Sequence, residues 1–324
     1  MSVDVVGAGA GRIGRYFTVV SALPATVFVT YVYLLVRVTD WFGPVDWSRI
    51  ADFKPQELVV LGVAALVVAL ALNPLQLPLI QLFEGYWGTS TLAVRLAAIR
   101  TAHHDRRRIT LEVRAGRARQ TLDRDESSFR WLIEEAESQR VGRGYPDRHR
   151  LLPTRLGNAL RRWEDAITRP YGLDPLVAVP RLAMVARQPE IAYLENQRVQ
   201  LELAIRTTFL SLIASVLTVA LFVRSGPWLL FACAPYAAGY LAYRGAVSLA
   251  SEYGTALAVL TEMNRFRLYD RLHLIRPQTT DEERVRNRAL VELFKLSDKR
   301  SVRYEHRAEL MEEPEQPGGA DPAP

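Results

Sequence analysis

The sequence predicts an all-α protein: four transmembrane helices, a helical cytoplasmic domain inserted between the second and third, and a helical C-terminal extension. Three observations carry that expectation. Four stretches are long, apolar and almost free of charge. Arginines gather between and beyond them, while acids gather in one short link. The rest of the chain has helical periodicity punctuated by proline and glycine, with no alternation of strand and helix.

The chain opens on a cytoplasmic segment, residues 1–15, that carries Arg12 and Arg15 beside Asp4. It contains GAGRIG, Gly9 to Gly14, in the spacing of a dinucleotide-binding turn. Such a turn needs a strand before it and an amphipathic helix after it. Only VDVV precedes it, and the residues that follow are apolar all round and include Pro24, so no cofactor site is expected. A cleaved signal peptide is not expected either, because the apolar run is too long and no small-x-small pattern follows.

Residues 16–83 form the first hairpin, with spans at about 16–38 and 58–80. About 20 helical residues cross a hydrocarbon layer of about 30 Å. YFTVVSALPATVFVTYVYLLVRV has no charge before Arg37, and LVVLGVAALVVALALNPLQLPLIQLF has none at all. Within the second run, Pro74 lacks an N–H, so the Leu70 carbonyl one turn earlier loses its helical donor. Asn73 or a facing Ser or Thr is expected to answer it, which makes Asn73 the candidate intramembrane polar site. The second hairpin, residues 207–243, holds shorter spans at 207–223 and 227–243, bounded by Arg206, Arg224 and Arg244. Those arginines are expected to snorkel toward headgroups.

Charge orients the spans. The link TDWFGPVDWSRIADFKPQE sets Asp40, Asp46, Asp52 and Glu57 against Arg49 and Lys54, whereas 22 arginines lie between Leu82 and Thr207. Positive residues stay cytoplasmic, so both termini and the middle of the chain are placed inside and the two links outside. Trp41, Trp47 and Trp228 then fall at the outer interface. The expected location is a bacterial plasma (inner) membrane, crossed several times.

The cytoplasmic domain, residues 84–206, reads as helix. A first helix from Thr89 places Leu92, Leu96, Ile99 and His103 near helical spacing and runs into Arg106–Arg108, with a break at Ala115–Gly116 or at LDRDESS. SSFRWLIEEAESQR, with Phe129, Leu132, Ile133 and Ala136, forms a second, and VGRGYPDRH a loop. A third helix starts after Pro153–Thr154, sets Leu156, Leu160, Trp163 and Ile167 on one face, and ends at Pro170. Pro189 opens a rod that has no breaker before the third span. The fourth span likewise continues into the extension, residues 244–311, until Pro277, with Val247, Ala250, Ala256, Leu257 and Leu260 suited to packing on the other rod. Thr280 and Glu283 have capping-box spacing, and residues 312–324 lack any large apolar side chain and read as a disordered tail.

Chemistry-bearing motifs are few. The lone Cys233 excludes an intrachain disulfide and any CxxC site. Only Lys54, Lys295 and Lys299 among 41 basic residues are lysine, a bias that suits a GC-rich coding sequence. LDRDESSFRWLIE sets Asp123, Asp125, Ser127 and Glu134 at EF-hand positions, but Ser128 stands where the loop demands glycine. His103-His104-Asp105 lacks the second histidine one turn on that a metal pair needs. No nucleophile elbow, phosphate loop or zincin motif occurs. No catalytic residue, cofactor or metal is therefore expected, and the chain does not read as an enzyme. Basic runs such as HHDRRR read first as an exposed face with no partner; of the polyanions, anionic lipid is nearer than RNA, and no nucleic-acid partner is expected. The most suggestive stretch is LLPTRLGNALRRWED, where Arg155, Asn158, Arg162, Trp163 and Glu164 crowd a few turns beside the membrane. Both signs of charge with a large aromatic suit docking to a partner chain or to headgroups, against a plainer reading with internal pairs such as Arg161 with Asp165.

LPLIQLFEGYWG, LLPTRLGNALRRWEDAITRPYGLD and EYGTALAVLTEMNRFRLYDRLHL, with the later EER, resemble blocks recurring in a group of uncharacterised bacterial membrane proteins common in actinobacteria. The resemblance extends from about Leu75 to Phe294 and implies a polytopic protein with a helical cytoplasmic module. The group has no assigned activity, so no site residue follows from it. The function expected is that of a self-associating interaction or scaffold protein presenting its module to a cytoplasmic partner. The alternative is an oligomeric channel or transporter.

Overall fold

Helices occupy the apolar runs and the capped periodic stretches alike, and prolines sit in the first turns of several of them, at Pro24, Pro55, Pro175 and Pro189. The computed structural model describes residues 22–39, 45–50, 54–122 and 145–295, with positions 302 and 304. Within them the chain is all-helical, with extended pairing confined to two isolated bridges, Thr39 with Val45 and Leu274 with Tyr304. GAGRIG, Trp41, the EF-hand-like stretch, the helix expected around Phe129 and the tail lie outside the described residues.

Among the described residues two helices are long and apolar enough to cross a membrane, α2 (Pro55–Leu72) and α7 (Gln188–Phe222). Before them, α1 (Leu23–Val38) carries Pro24 in its first turn, where a missing N–H costs no helical bond. Its far end is stapled to the start of α2. Arg37 and the Tyr33 hydroxyl both donate to the Glu57 carboxylate, and Arg37 Nε donates to the Arg49 carbonyl at 2.6 Å.

The second apolar run is not one helix. It breaks at Asn73–Pro74–Leu75 and resumes as α3 (Gln76–Glu84). The Leu70 carbonyl is answered by the backbone N–H of Asn73 at 3.2 Å, rather than by the Asn73 side chain or a neighbouring hydroxyl. One tightened turn suffices, and the Asn73 amide is left to do something else.

Gly85 caps α3 with φ 105°, and α4 (Thr91–Leu122) then runs straight through Ala115–Gly116. A single glycine costs a helix only about 1 kcal/mol, so the first of the two expected break points does not break. Next, α5 (Arg155–Tyr171) takes its N-cap from Thr154 and keeps Pro170 inside its last turn, closing on Gly172 at φ 69°. After it comes α6 (Pro175–Val185), a helix the sequence reading left out between Pro170 and Pro189, with Pro180 inside it. Asp174 caps it by accepting from the Leu176 N–H at 3.1 Å, with Pro175 at the first helical position.

The fourth apolar stretch starts as a 3-10 turn, Gly226–Ala232, and becomes α8 (Cys233–Arg271). That helix ends at Arg271, short of Pro277, because His273 takes a positive φ of 53° and turns the chain. The N-cap of α9 (Thr280–Phe294) is Thr279, one residue earlier than the capping-box spacing suggested. Thr279 accepts from the Glu282 N–H at 3.2 Å, and Glu282 reaches back to the Gln278 N–H at 2.7 Å. Glu283 instead points inward and pairs with Arg265 at 2.9 Å.

The rods α7 and α8 form the axis of the molecule. Small residues let them approach, with Ala246 and Ala250 buried and Gly239 close enough that a Cβ would lie 3.2 Å from Ser211. Leu156, Leu201, Ile205 and Leu210 close one core cluster on this axis. Leu173, Leu182, Leu260, Leu268 and Val291 close a second, which fixes α6 and α9 to the C-terminal half of α8.

Candidate functional site

The stretch singled out in the sequence, Leu151 to Asp165, lies where the helical module meets the ends of the apolar helices. Thr154 Oγ1 donates to the Glu84 carbonyl at 2.8 Å while accepting from the Gly157 N–H at 3.0 Å. Gly157 permits this approach, since a Cβ there would lie 2.0 Å from the Glu84 carbonyl oxygen. The Tyr243 hydroxyl accepts from the Leu156 N–H at 3.5 Å, tying in the end of the fourth apolar stretch.

Most of the five residues picked for docking are engaged inside the protein. Asn158 is 1% exposed; it donates to the Leu152 and Thr154 carbonyls and accepts from the Leu152 N–H, each at 2.8 Å. It staples the loop before α5. Trp163 lies on Gly254 of α8, where a Cβ would fall 2.0 Å from the indole, and Arg162 stacks over the same ring at 5.2 Å. Glu164 accepts from Arg150 at 2.7 Å and from Arg161 at 3.1 Å. Asp165 pairs with Arg150 as well, so the expected Arg161–Asp165 pair is replaced by Arg161–Glu164. Arg155 is half-buried. The charge pattern legible in the sequence thus builds a junction more than it decorates a surface.

Burial pushes the Glu84 carboxyl up to about 6, with Glu164 adding to the effect and Arg161 opposing it. His104 of α4 docks on the same junction, with Nδ1 3.1 Å from the Tyr145 hydroxyl and a hydrogen bond to the Pro153 backbone. Burial, His103, Arg100 and Arg107 hold its imidazole down at about 4, so it is neutral.

Below the junction, α5, the start of α6 and α9 enclose a cleft of about 960 Å³. Arg150, Arg161 and Glu164 line one side, and Asp174, Arg288 and Lys295 the other. Lys295 is held by Asp174 at 2.9 Å, and Leu176 offers an exposed apolar wall. Sequence reasoning missed this cleft because its walls come from segments more than a hundred residues apart; the Asp174-Pro175 cap was the one local signal. Its charges largely compensate one another, which suits a polar surface for protein contact better than a pocket for a small anion.

At the other candidate position, the Asn73 carboxamide oxygen accepts from Arg206 Nη2 at 3.2 Å, and the same Nη2 donates to Gln76 Oε1 at 3.0 Å. Arg206 is 1% exposed, so it does not snorkel to headgroups. The break between α2 and α3 places two amide side chains where the guanidinium of α7 can use them. One turn before it, Glu202 is buried and accepts from Arg198 Nε at 2.8 Å.

Among the described residues no group of three or more His, Cys, Asp or Glu side chains could hold a metal ion. No protein-family model matches the chain, and neither does any curated protein or solved structure. The resemblance to actinobacterial membrane proteins therefore rests on its sequence blocks alone.

Proposed function

We propose that this is a four-span integral protein of a bacterial plasma membrane, with both termini cytoplasmic, that acts without catalysis as a self-associating scaffold. The observation that carries the reading is the pair of rods, α7 and α8, which couple the apolar part of the molecule to a helical module of α5, α6 and α9. Exposure supports the bilayer. Only 17% of the apolar window of α2 is buried, and Leu58, Val59, Val60, Val63, Leu66 and Val67 all face outward. A core helix of a water-soluble protein would bury such a surface; lipid accepts it. Trp47 and Trp228 meet with ring centroids 5.1 Å apart, which suits the outer aromatic belt assigned to the two links.

Self-association and a cytoplasmic protein partner are the roles proposed for the module and its cleft. Reporter fusions test the topology: one after Trp47 should read as external and one after Ala186 as cytoplasmic, and a reversal at either position would sink the four-span reading. The mass of the detergent-solubilised protein, with identification of what co-purifies, tests the scaffold.

A second reading, an oligomeric channel or transporter, is favoured by one feature. A buried arginine held at a helix break is the kind of intramembrane polar constellation that conduction and transport sites use. Ion flux in pure liposomes separates the two.

A further inference from the structure

The first half of α4 combines two properties that the scaffold reading does not use. The helix starts just after the end of the second apolar run, and it does not lead away from that level. Gly85, at the end of α3, lies against Pro153, where a Cβ would fall 2.5 Å from the proline ring. His104 is bonded to the backbone of the same Pro153 and to Tyr145. Arg100 lies within electrostatic reach of Tyr243, at the end of the fourth apolar stretch. From Thr91 to His104 the helix covers about 20 Å at about 1.5 Å per residue. The chain leaves Pro153 at Gly85 and is back at it by His104, with Arg100 near Tyr243, so the far end of the segment sits at the cytoplasmic ends of the apolar helices.

Its two faces differ. Ala93, Ala97, Thr101 and His104 turn toward the protein. Leu92, Leu96 and Ile99, at i, i+4 and i+7, form a stripe on the other side and are 70%, 46% and 66% exposed. At about 100° per residue, Arg95 and Arg106 flank the stripe on one side and Arg100 and Arg107 on the other. An apolar stripe bordered by cations is the pattern of a helix lying in a membrane interface, apolar side in the acyl boundary and cations among phosphates.

We propose that the first half of α4 lies in the cytoplasmic headgroup layer of an anionic bilayer, with Leu92, Leu96 and Ile99 inserted and Arg95, Arg100 and Arg106 on lipid phosphates. The inference rests on the membrane reading above. It makes α4 a lateral arm that fixes the height and tilt of the module over the membrane.

The test uses the full chain with Cys233→Ser, so that one introduced cysteine carries the fluorophore. Ile99→Cys, Leu66→Cys in α2 and Glu195→Cys on the exposed surface of α7 are reconstituted in vesicles with and without phosphatidylglycerol. Nitroxides on shallow or deep lipid positions serve as quenchers. The Ile99 label should be quenched by the shallow nitroxide at least about threefold more than the Glu195 label in anionic vesicles. Arg95→Gln with Arg100→Gln should bring that quenching down to its value in phosphatidylcholine alone; unchanged quenching would remove the anionic-lipid part. If the Leu66 label responds to the deep nitroxide while Ile99 behaves like Glu195, the interfacial arm is wrong and the membrane reading stands. If Leu66 is not quenched either, both fall together. An Ile99 label shielded from a water-soluble quencher but untouched by either lipid nitroxide would mean that protein covers the stripe, which also overturns the proposal.

Discussion

Arg206 donates to the Asn73 side chain at 3.2 Å across 133 residues of sequence, so a break in the second apolar run is joined to a buried cation in the rod that carries the third. Because the Leu70 carbonyl is already met by backbone, the Asn73 amide is committed to the arginine instead. Removing one acceptor from a buried charged donor costs about 1–3 kcal/mol. Asn73→Leu should therefore lower the thermal midpoint in detergent, while adding Arg206→Leu should recover part of the loss by removing the charge. Liposomes bearing the wild type should stay ion-tight under the scaffold reading. A robust conductance that Asn73→Leu alters would promote the channel instead.

Gly157 is the sharpest steric requirement at the junction. A methyl group there would sit 2.0 Å from the Glu84 carbonyl oxygen, a backbone atom that cannot rotate away. Gly157→Ala should force α5 off the end of α3 and destabilise the protein by more than about 3 kcal/mol. Gly245, with nothing within 4 Å of its added Cβ, is the control. Gly245→Ala should stabilise by about 0.5–1 kcal/mol through helix propensity alone. Thermal denaturation of the two variants in one detergent decides it, and equal midpoints would mean that the close approach is not rigid.

The sequence carried whatever local physics determines. The start of α5 followed from Thr154, the continuity of α7 from the absence of a breaker after Pro189, and the partnership of the rods from Ala250, Ala256 and Leu260. It misled where one residue has two uses. Pro170 reads as a stop yet sits within the last turn of α5, and Pro277 reads as the end of a rod that His273 had already ended. The charged cluster around Trp163 reads as a docking face because a sequence does not show that Gly254, ninety-one residues on, offers the indole a seat. The cleft was beyond reach for the same reason: Asp174 and Lys295 acquire a relationship only once α9 folds back.

His104 should make the junction acid-sensitive. Its folded value of about 4 lies below the ordinary histidine range near 6.5, so the unfolded chain takes up the proton first. The stabilisation is full above about 6.5 and is lost progressively as pH falls toward 4. Glu84 has the opposite sign, since a carboxyl raised to about 6 favours the folded state as pH falls through that value. Comparing wild type with His104→Gln cancels the Glu84 contribution. The midpoint of the variant should fall less between pH 7 and pH 4.5 than that of the wild type, and parallel curves would show that His104 does not titrate with folding.

Asn287 should control whether α9 stays docked. It is fully buried, accepting from the Tyr269 hydroxyl at 2.6 Å and donating to the Tyr171 carbonyl at 2.7 Å, so one amide bridges α8, the end of α5 and α9. Burial and the nearby Glu283 raise the Tyr269 hydroxyl's pKa, so it stays protonated and keeps donating. Asn287→Leu strands both partners at a cost of about 1–3 kcal/mol each. The loss should be local, because α9 packs on α5 and α6 and contributes Val291 and Leu290 to clusters around the C-terminal half of α8, separate from the cluster that holds Leu72 and Leu79 of the second apolar run. Limited proteolysis should then cut near Gln278 in the variant much faster than in the wild type, while the main thermal transition of the α7–α8 axis moves little. Tyr269→Phe added to Asn287→Leu removes one stranded hydroxyl and should slow the cleavage again. Cleavage unchanged by Asn287→Leu would mean that apolar contacts alone hold α9, and a collapse of the main transition would mean that α9 is part of the same cooperative unit as the rods.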